Sequence, residues 1–480
     1  MNTALIVLLV AVPLSAAFLG VLFKKLGKIF LALAAAVNAA SAIILTMDFT
    51  SPVVYAVGGF RPPFGISLVL DEYSLLGVLA VNIVFALIIM ASCKLVKKYE
   101  VVLSVALAAL NGMVLTGDLF NLFVFMEIAA ISAYILTTMN KGFKYTFNYL
   151  VLGTFGSGLF LFGIIIIYNI FGSLNIMNIQ SRLAVTSYPV AKTLALPLVL
   201  IFAGLSVEAK ILPFSGWVRG VLKQSNSLVG PLIVSVFAAA VLLVFGRLVS
   251  SIFVMSDALM IALTVIAVAT LVLAEFSAFS KKNLREILLF SSIAQSGVVV
   301  ALFLQGLQAA AVLVLINNIV SKLVLFTLSA KIAEDNETDA LEELKGIFVK
   351  NKVLGFAFSV AAMSLIGLPF FFGFVAKANA LVALFAIDNI WLPMIILLAA
   401  VVEGAYVVRM LTTLWNTGDE GELASAESAK QYKMTNKVRL TIILAIVAVA
   451  IIAGGIIPAV HMDMFNFDIL SFLTNGMGGV

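Results

Sequence analysis

The sequence predicts an all-α polytopic membrane protein with about fourteen transmembrane helices. Three observations carry that expectation. Of 480 residues, 63% are hydrophobic and 11% are charged. Apolar runs of about twenty residues, each long enough to span a bilayer, recur from end to end. Basic residues gather in alternate loops. A soluble chain of this length could not hide so much apolar surface, whereas a membrane chain need not.

The predicted spans lie at roughly 3–23, 29–47, 72–93, 100–117, 119–138, 146–170, 193–212, 229–250, 256–277, 287–305, 308–330, 353–385, 391–413 and 438–458. No basic residue precedes the first run, so it lacks the charged start of a secretory signal and reads as a retained span. With the N-terminus outside, 22 of the 29 Lys and Arg fall in cytoplasmic loops and four, Arg61, Arg182, Lys192 and Arg247, fall in outer ones. That bias obeys the positive-inside rule, and an even span count puts the C-terminus outside as well.

Between the second and third spans, 48–71 is too interrupted to cross. Its Gly-Gly and Pro-Pro pairs predict an outer β-hairpin or turn-rich loop. The acidic stretch 333–345 reads as a solvated surface helix, and 417–437 as a polar cytoplasmic linker. The predicted organisation is 1–98 (three spans and the hairpin), 99–254 and 255–415 (five spans each), and 416–480 (linker, last span, outer tail).

Composition excludes several functions. With one cysteine, Cys93, and one histidine, His461, the chain has no intrachain disulfide, cysteine-ligated iron–sulfur cluster or multi-histidine metal site. It shows neither a Walker loop nor a Rossmann glycine fingerprint. No redox or hydrolytic centre is expected in this chain, and its basic loops do not imply nucleic acid.

The remaining basic residues, Lys210, Lys322 and Lys377, fall inside spans, as does Glu127. Each costs several kcal/mol at such a depth unless paired or wet, which makes intramembrane ionisable groups functional candidates. Glu127 lies about 12 Å along its span from Leu119, at about 1.5 Å per residue. A carboxylate held between desolvation and a nearby lysine can exchange protons. Lys210 is its preferred partner, from another helix. Glu208 is two residues from Lys210 and does not share its helix face. Asn318, four residues before Lys322, gives a polar face with no opposing charge, which suits a relay. Glu403, in the span after Lys377, is a candidate partner for it, or else a residue near the end of its span. Glu275 reads as interfacial.

Lys210 and Lys377 sit in similar surroundings, "VEAKILPFSGW" and "IGLPFFFGFVAKANA". Proline removes a helix hydrogen bond, so both spans should be broken. The lysines are 167 residues apart; the same step from Glu127 reaches Ala294, beside Gln295 in "FSSIAQSG". Two inverted five-span repeats would explain this, and such repeats with broken helices build midplane ion sites in many transporters.

Taken together, "GDLFNLFVFMEI", "EAKILPFSGWV", "NLREILLFSSIAQSG" and "GLPFFFGFVAK" resemble the antiporter-like membrane subunits shared by respiratory complex I, Mrp sodium/proton antiporters and energy-converting membrane hydrogenases. The outer "GGFRPPFGISLVLDEYS" is similar to the Mrp D-subunit branch. The resemblance covers about residues 55–415. It implies fourteen spans, two inverted five-helix repeats, broken helices 7 and 12, and a proton path along the membrane midplane. Glu127 would match the fifth-helix glutamate, Lys210 the seventh-helix lysine, Lys322 the eleventh-helix lysine and Lys377 the charged residue of the twelfth. Three positions depart from the family pattern. Ser215 and Asn318 stand where histidines are usual, and Ala239, before Arg247, stands where a lysine is usual. Ser291, Ser292, Gln295 and water are the groups left to complete the path, unless the subunit conducts poorly.

The function these readings imply is a proton-translocating, or sodium/proton-translocating, subunit of a multi-subunit complex driven by redox chemistry. Glu127, Lys210, Lys322 and Lys377 would carry ions, with Glu208, Glu403, Asn318, Gln295, Ser291 and Ser292 in support. A stand-alone Mrp-type antiporter and a membrane scaffold with a vestigial path are the alternatives. No cofactor is expected in this chain, while iron–sulfur clusters and a catalytic metal centre would sit in partner subunits. The partners implied are further antiporter-like and small Mrp-like membrane subunits, H+ or Na+, and lipid. The expected location is the inner (plasma) membrane of a prokaryote.

Overall fold

A computed structural model of the chain describes residues 3–60, 62, 65–140, 143–185, 190–416 and 438–461. Twelve helices in that range are long and apolar enough to cross a membrane. Three open the chain: α1 (Ala4–Leu22), α2 (Gly27–Met47) and α3 (Glu72–Ala91). The predicted outer hairpin lies between α2 and α3. Its strands β1 (Val53–Ala56) and β2 (Ser67–Leu70) pair antiparallel, with Val53 opposite Leu70. Asp71 then starts α3 through a reciprocal capping box with Ser74.

The next group comprises α4 (Glu100–Leu115), α5 (Leu119–Thr137), α6 (Phe143–Phe171), a short α7 (Ile176–Ala184), α8 (Val190–Ala209) and α9 (Gly216–Gln224). A turn, α10 (Val229–Pro231), continues through a π-helical segment, Leu232–Phe237, into α11 (Ala238–Ser251), making one span. Helices α6 and α8 meet at glycines. A Cβ on Gly204 would lie 2.7 Å from the Gly156 carbonyl oxygen, so only hydrogen fits at this contact.

The second half comprises α12 (Asp257–Ser280), α13 (Leu284–Leu304), α14 (Gln308–Asn336), α15 (Ile347–Lys350), α16 (Lys352–Ile366), α17 (Phe372–Ala386) and α18 (Trp391–Trp415). Last comes α19 (Val438–His461). A matching backbone junction occurs in each half. Asp118 bridges to Asn175, and Asn283 to Ala340. Leu119 N–H donates to Leu174 and Leu284 N–H to Asp339, each at 2.8–2.9 Å. Every member of the second junction lies 165 residues after its counterpart in the first.

Both predicted breaks are present. α8 stops at Ala209, Lys210 takes a left-handed backbone (φ 66°), and α9 begins six residues later at Gly216. α16 stops at Ile366, with Gly367 at φ 85° and Phe370 at φ 74° before α17. Proline at 213 and 369 cannot continue either helix.

Several expectations need correction. Arg247 is not in an outer loop. It is buried within α11, with Nε 2.8 Å from Asp71 Oδ2 and a guanidinium N–H donating to the Thr116 carbonyl at 2.9 Å. The stretch 333–345 is not one surface helix, since α14 runs into it as far as Asn336 and Leu341–Leu344 forms a separate 3-10 turn. His461 ends α19 rather than lying in a tail. The linker 417–437 and the chain beyond 461 lie outside the described residues.

Candidate functional site

The site is organised by α13, which is enclosed by other helices along almost its whole length. An enclosed helix must be apolar on all faces or have its polar groups satisfied by neighbours. Beyond Arg285 and Glu286 in its first turn, the polar residues of α13 are Ser291, Ser292, Gln295 and Ser296, all buried. Ser292 and Gln295 are three residues apart and so share a face.

Ser292 meets two lysines. The Lys210 ammonium donates to its hydroxyl at 2.8 Å, and the Lys322 ammonium to its carbonyl at 3.4 Å. Both lysines are almost fully buried, at 1% and 4% exposure. Lys210 reaches α13 because it follows the last turn of α8 in a left-handed conformation. That geometry costs a non-glycine residue of order 1–3 kcal/mol and directs the chain out of the helix. The Ile211 N–H closes the helix end on Ser206 O at 2.9 Å, and the Leu212 N–H is satisfied by Thr270 Oγ1 at 3.1 Å.

One turn along α13, Gln295 donates its amide N–H to both carboxylate oxygens of Glu403, at 3.0 and 3.2 Å. Lys377 completes the group, with its ammonium 2.7 Å from Glu403 Oε2. The same ammonium donates at 2.9 Å to the Ile366 carbonyl, which the break leaves without a helical partner. Glu403 is therefore buried at 1% exposure and ion-paired, not a residue at the end of its span. The break is held by Ser364, whose hydroxyl donates to Asn317 Oδ1 at 2.7 Å and accepts from the Gly373 N–H at 3.0 Å.

The acids of the first half are arranged differently from the expected Glu127–Lys210 pair. Among the described residues, no ion pair within 4.0 Å joins these two side chains. Lys210 points to α13, while the partly buried Glu127 lies within electrostatic range of Glu208 and Tyr134. Glu208 accepts a hydrogen bond from Tyr149 at 2.7 Å. Tyr149 is wedged between Trp217, stacked at 3.7 Å, and Tyr134, edge-on at 4.6 Å. The break thus sends Glu208 and Lys210 to different neighbours, as their spacing of two predicted. The 165-residue step of the backbone junctions, taken from Glu127, reaches Ser292, the acceptor for Lys210.

Asn318 is buried with Oδ1 unpartnered, and Ser215 and Ala239 are buried in α8–α9 and α11 surroundings. Glu275, read as interfacial, is instead buried at 2% exposure within electrostatic range of Glu403, Lys377 and Lys322. The signal available in the sequence was the same one that marked Glu127, a lone acid in an apolar run. Its position near the span end masked it. Among the described residues no three His, Cys, Asp or Glu converge on a common point that could hold a metal ion.

Buried lysines and glutamates joined by hydroxyl and amide groups, on helices broken beside them, define a polytopic membrane protein with an internal polar line. The family described as NADH:quinone oxidoreductase/Mrp antiporter, TM, matches residues 116–402, and the chain belongs to it. It is 26% identical over 444 residues to the D subunit of the Na(+)/H(+) antiporter of Bacillus subtilis (strain 168), covering 88% of this chain and 90% of that one. It is also 26% identical over 503 aligned positions to the N subunit of the NADH-quinone oxidoreductase of Desulforudis audaxviator (strain MP104C), covering 98% of each. A chain of the membrane-bound sulfane sulfur reductase, an archaeal respiratory membrane complex, superposes with a TM-score of 0.85 at 26% identity, over 98% of each chain.

Proposed function

We propose that this chain is a proton-translocating, antiporter-like subunit of a multi-subunit membrane complex driven by redox chemistry. The observation that carries the reading is the double engagement of α13. Ser292 connects Lys210 with Lys322, and one turn away Gln295 connects to the Glu403–Lys377 pair. Protons would enter the line near Glu127 and Glu208, pass from Lys210 by way of Ser292 to Lys322, and move on towards Lys377 and Glu403. Ser292, Gln295 and water would stand in for the histidines missing at 215 and 318.

The two backbone junctions 165 residues apart support two inverted five-helix repeats within a fourteen-span plan. The distribution of Lys and Arg supports both termini outside, and the bacterial and archaeal relatives support a prokaryotic plasma membrane. Redox energy, iron–sulfur clusters and a catalytic metal centre would belong to partner subunits, alongside further antiporter-like and small membrane subunits. The identity shared with the two respiratory relatives supports the redox-driven assembly. The identity shared with the sodium/proton antiporter relative favours a stand-alone sodium/proton antiporter as the second reading.

The test is ion pumping by the intact complex in sealed vesicles, with wild type compared to Lys210→Ala and Glu127→Gln after assembly is verified. Collapse of gradient formation in assembled variants is the expected result; wild-type pumping in both would replace this reading with that of a scaffold. Gradient formation driven by electron transfer, against that driven only by an imposed sodium gradient, separates the two assemblies.

A further inference from the structure

A second carboxylate lies beside the Lys377–Glu403 pair without an ion-pair partner of its own. Glu275, on α12, is 2% exposed, and its Oε2 makes no hydrogen bond. Next to it, on α18, is Tyr406, 1% exposed, whose hydroxyl faces Glu275 and Ser291 with no hydrogen bond of 3.5 Å or less. Tyr406 follows Glu403 by three residues, so both face α12 and α13 from the same side of α18. Two buried oxygens side by side without a close hydrogen bond are costly. The Tyr406 O–H can donate to the carboxylate, and a proton on Glu275 would let the carboxyl group donate in turn.

The groups around Glu275 come from four helices. They are Ser291 on α13, Lys322 on α14, Lys377 on α17, and Glu403 and Tyr406 on α18. Glu403 is already held by Lys377 and Gln295. Lys322 donates only to the Ser292 carbonyl and, among the described residues, has no ion pair within 4.0 Å. The acids within its electrostatic range are Glu403 and Glu275. Glu275 is thus the carboxylate left to answer the charge of Lys322.

From this arrangement we propose that Glu275 is a further proton-loading carboxylate of the polar line, exchanging one proton with Lys322 in the presence of the Tyr406 hydroxyl. The inference rests on the translocating function proposed above. In the loading step an N–H bond of the Lys322 ammonium breaks and an O–H bond forms on Glu275, with a water relaying the proton because no ion pair within 4.0 Å joins the two groups. An ammonium and a carboxylate become a neutral amine and a neutral acid. No net charge is created in the buried interior, so the transfer avoids the desolvation cost of moving a lone charge. In the next step the acid releases the proton and Glu275 returns to its charged form. Tyr406 is a positioning residue, whose hydroxyl orients the carboxyl group.

The test uses the intact complex in sealed vesicles, with Glu275→Gln, Glu275→Asp, Tyr406→Phe and Lys210→Ala, and assembly checked for each. Initial pumping rates across a pH series are combined with infrared difference spectra of the carboxylic C=O stretch. Glu275→Gln should slow pumping by about tenfold or more and remove one C=O band. Glu275→Asp should keep an intermediate rate with a shifted band, and Tyr406→Phe should displace the pH profile. Wild-type pumping by Glu275→Gln, or persistence of the full set of bands, overturns the proposal. If Glu275→Gln does not assemble, the band in Glu275→Asp decides. A sodium requirement lost only in the Glu275 variants overturns the proton assignment in favour of a sodium site. Should Lys210→Ala also pump like wild type, the translocating function itself fails; if Lys210→Ala alone is impaired, only the role of Glu275 does.

Discussion

The Lys210 ammonium donates to the Ser292 hydroxyl at 2.8 Å, joining residues 82 apart in sequence. The contact joins the broken end of α8 to the enclosed helix α13, and it stands where the sequence predicted an acid. Removing it leaves a buried ammonium short of an acceptor. Ser292→Ala should destabilise the chain by about 2 kcal/mol, the usual worth of a hydrogen bond to a charged group, and slow pumping severalfold. Ser292→Thr should keep most of both. Thermal unfolding of the detergent-solubilised complex and initial pumping rates provide the check, and an unchanged rate in Ser292→Ala would remove Ser292 from the path.

Lys377 and Glu403, 2.7 Å apart and buried, should behave as a unit. Losing one partner of a buried pair strands a charge, at a cost of about 3–5 kcal/mol. Lys377→Met and Glu403→Gln should each show that loss. The double variant should regain much of the stability, yet remain unable to pump. A double-mutant cycle on unfolding free energies measures the coupling. Simple additivity of the two single losses would contradict the pairing.

Arg247 and Asp71 form the contrasting case. Their contact ties α11 to the start of α3, and Arg247 also holds the Thr116 carbonyl beside the hairpin. Neither residue touches the polar line. Arg247→Ala should lower stability by about 3 kcal/mol while leaving pumping per assembled complex unchanged. A lower specific rate in fully assembled complex would show that the clamp does more than hold the fold.

Gly373 follows the second break, and a Cβ there would overlap the Ser364 carbonyl oxygen. Gly373→Ala must displace α17 or α16, at a cost of about 1–3 kcal/mol, and shift Lys377 four residues on. Pumping should fall with stability. Gly158→Ala is the control, because a Cβ at that position on α6 meets nothing within 4 Å. It should be neutral or slightly stabilising, as alanine is the better helix former. Equal effects from both substitutions would mean that the packing around the break is looser than this geometry requires.

Much of the architecture was legible in the sequence because bilayer physics is written in local composition. An apolar run of span length has to be a helix, since lipid offers its backbone no hydrogen-bond partners. Gly-Gly and Pro-Pro marked the hairpin at 53–70, and prolines 213 and 369 marked the two breaks. The Glu403–Lys377 pair was also readable, because each residue is the other's nearest unusual charge in sequence.

The rest of the site was decided in three dimensions. The sequence determined that Glu127, Lys210, Lys322 and Lys377 stand in apolar surroundings and need partners, but the identity of those partners depends on which helices touch. Only the fold turned Lys210 away from Glu127 and onto Ser292, because the left-handed residue at the end of α8 aims its side chain at α13. Only the fold buried Glu275 and Arg247, both near the ends of their predicted spans, by covering those ends with α18 and with the hairpin region. Burial of a helix end is a property of its neighbours. Hydropathy along one helix fixes that it enters the membrane, while the packing of several helices fixes which of its charges remain wet.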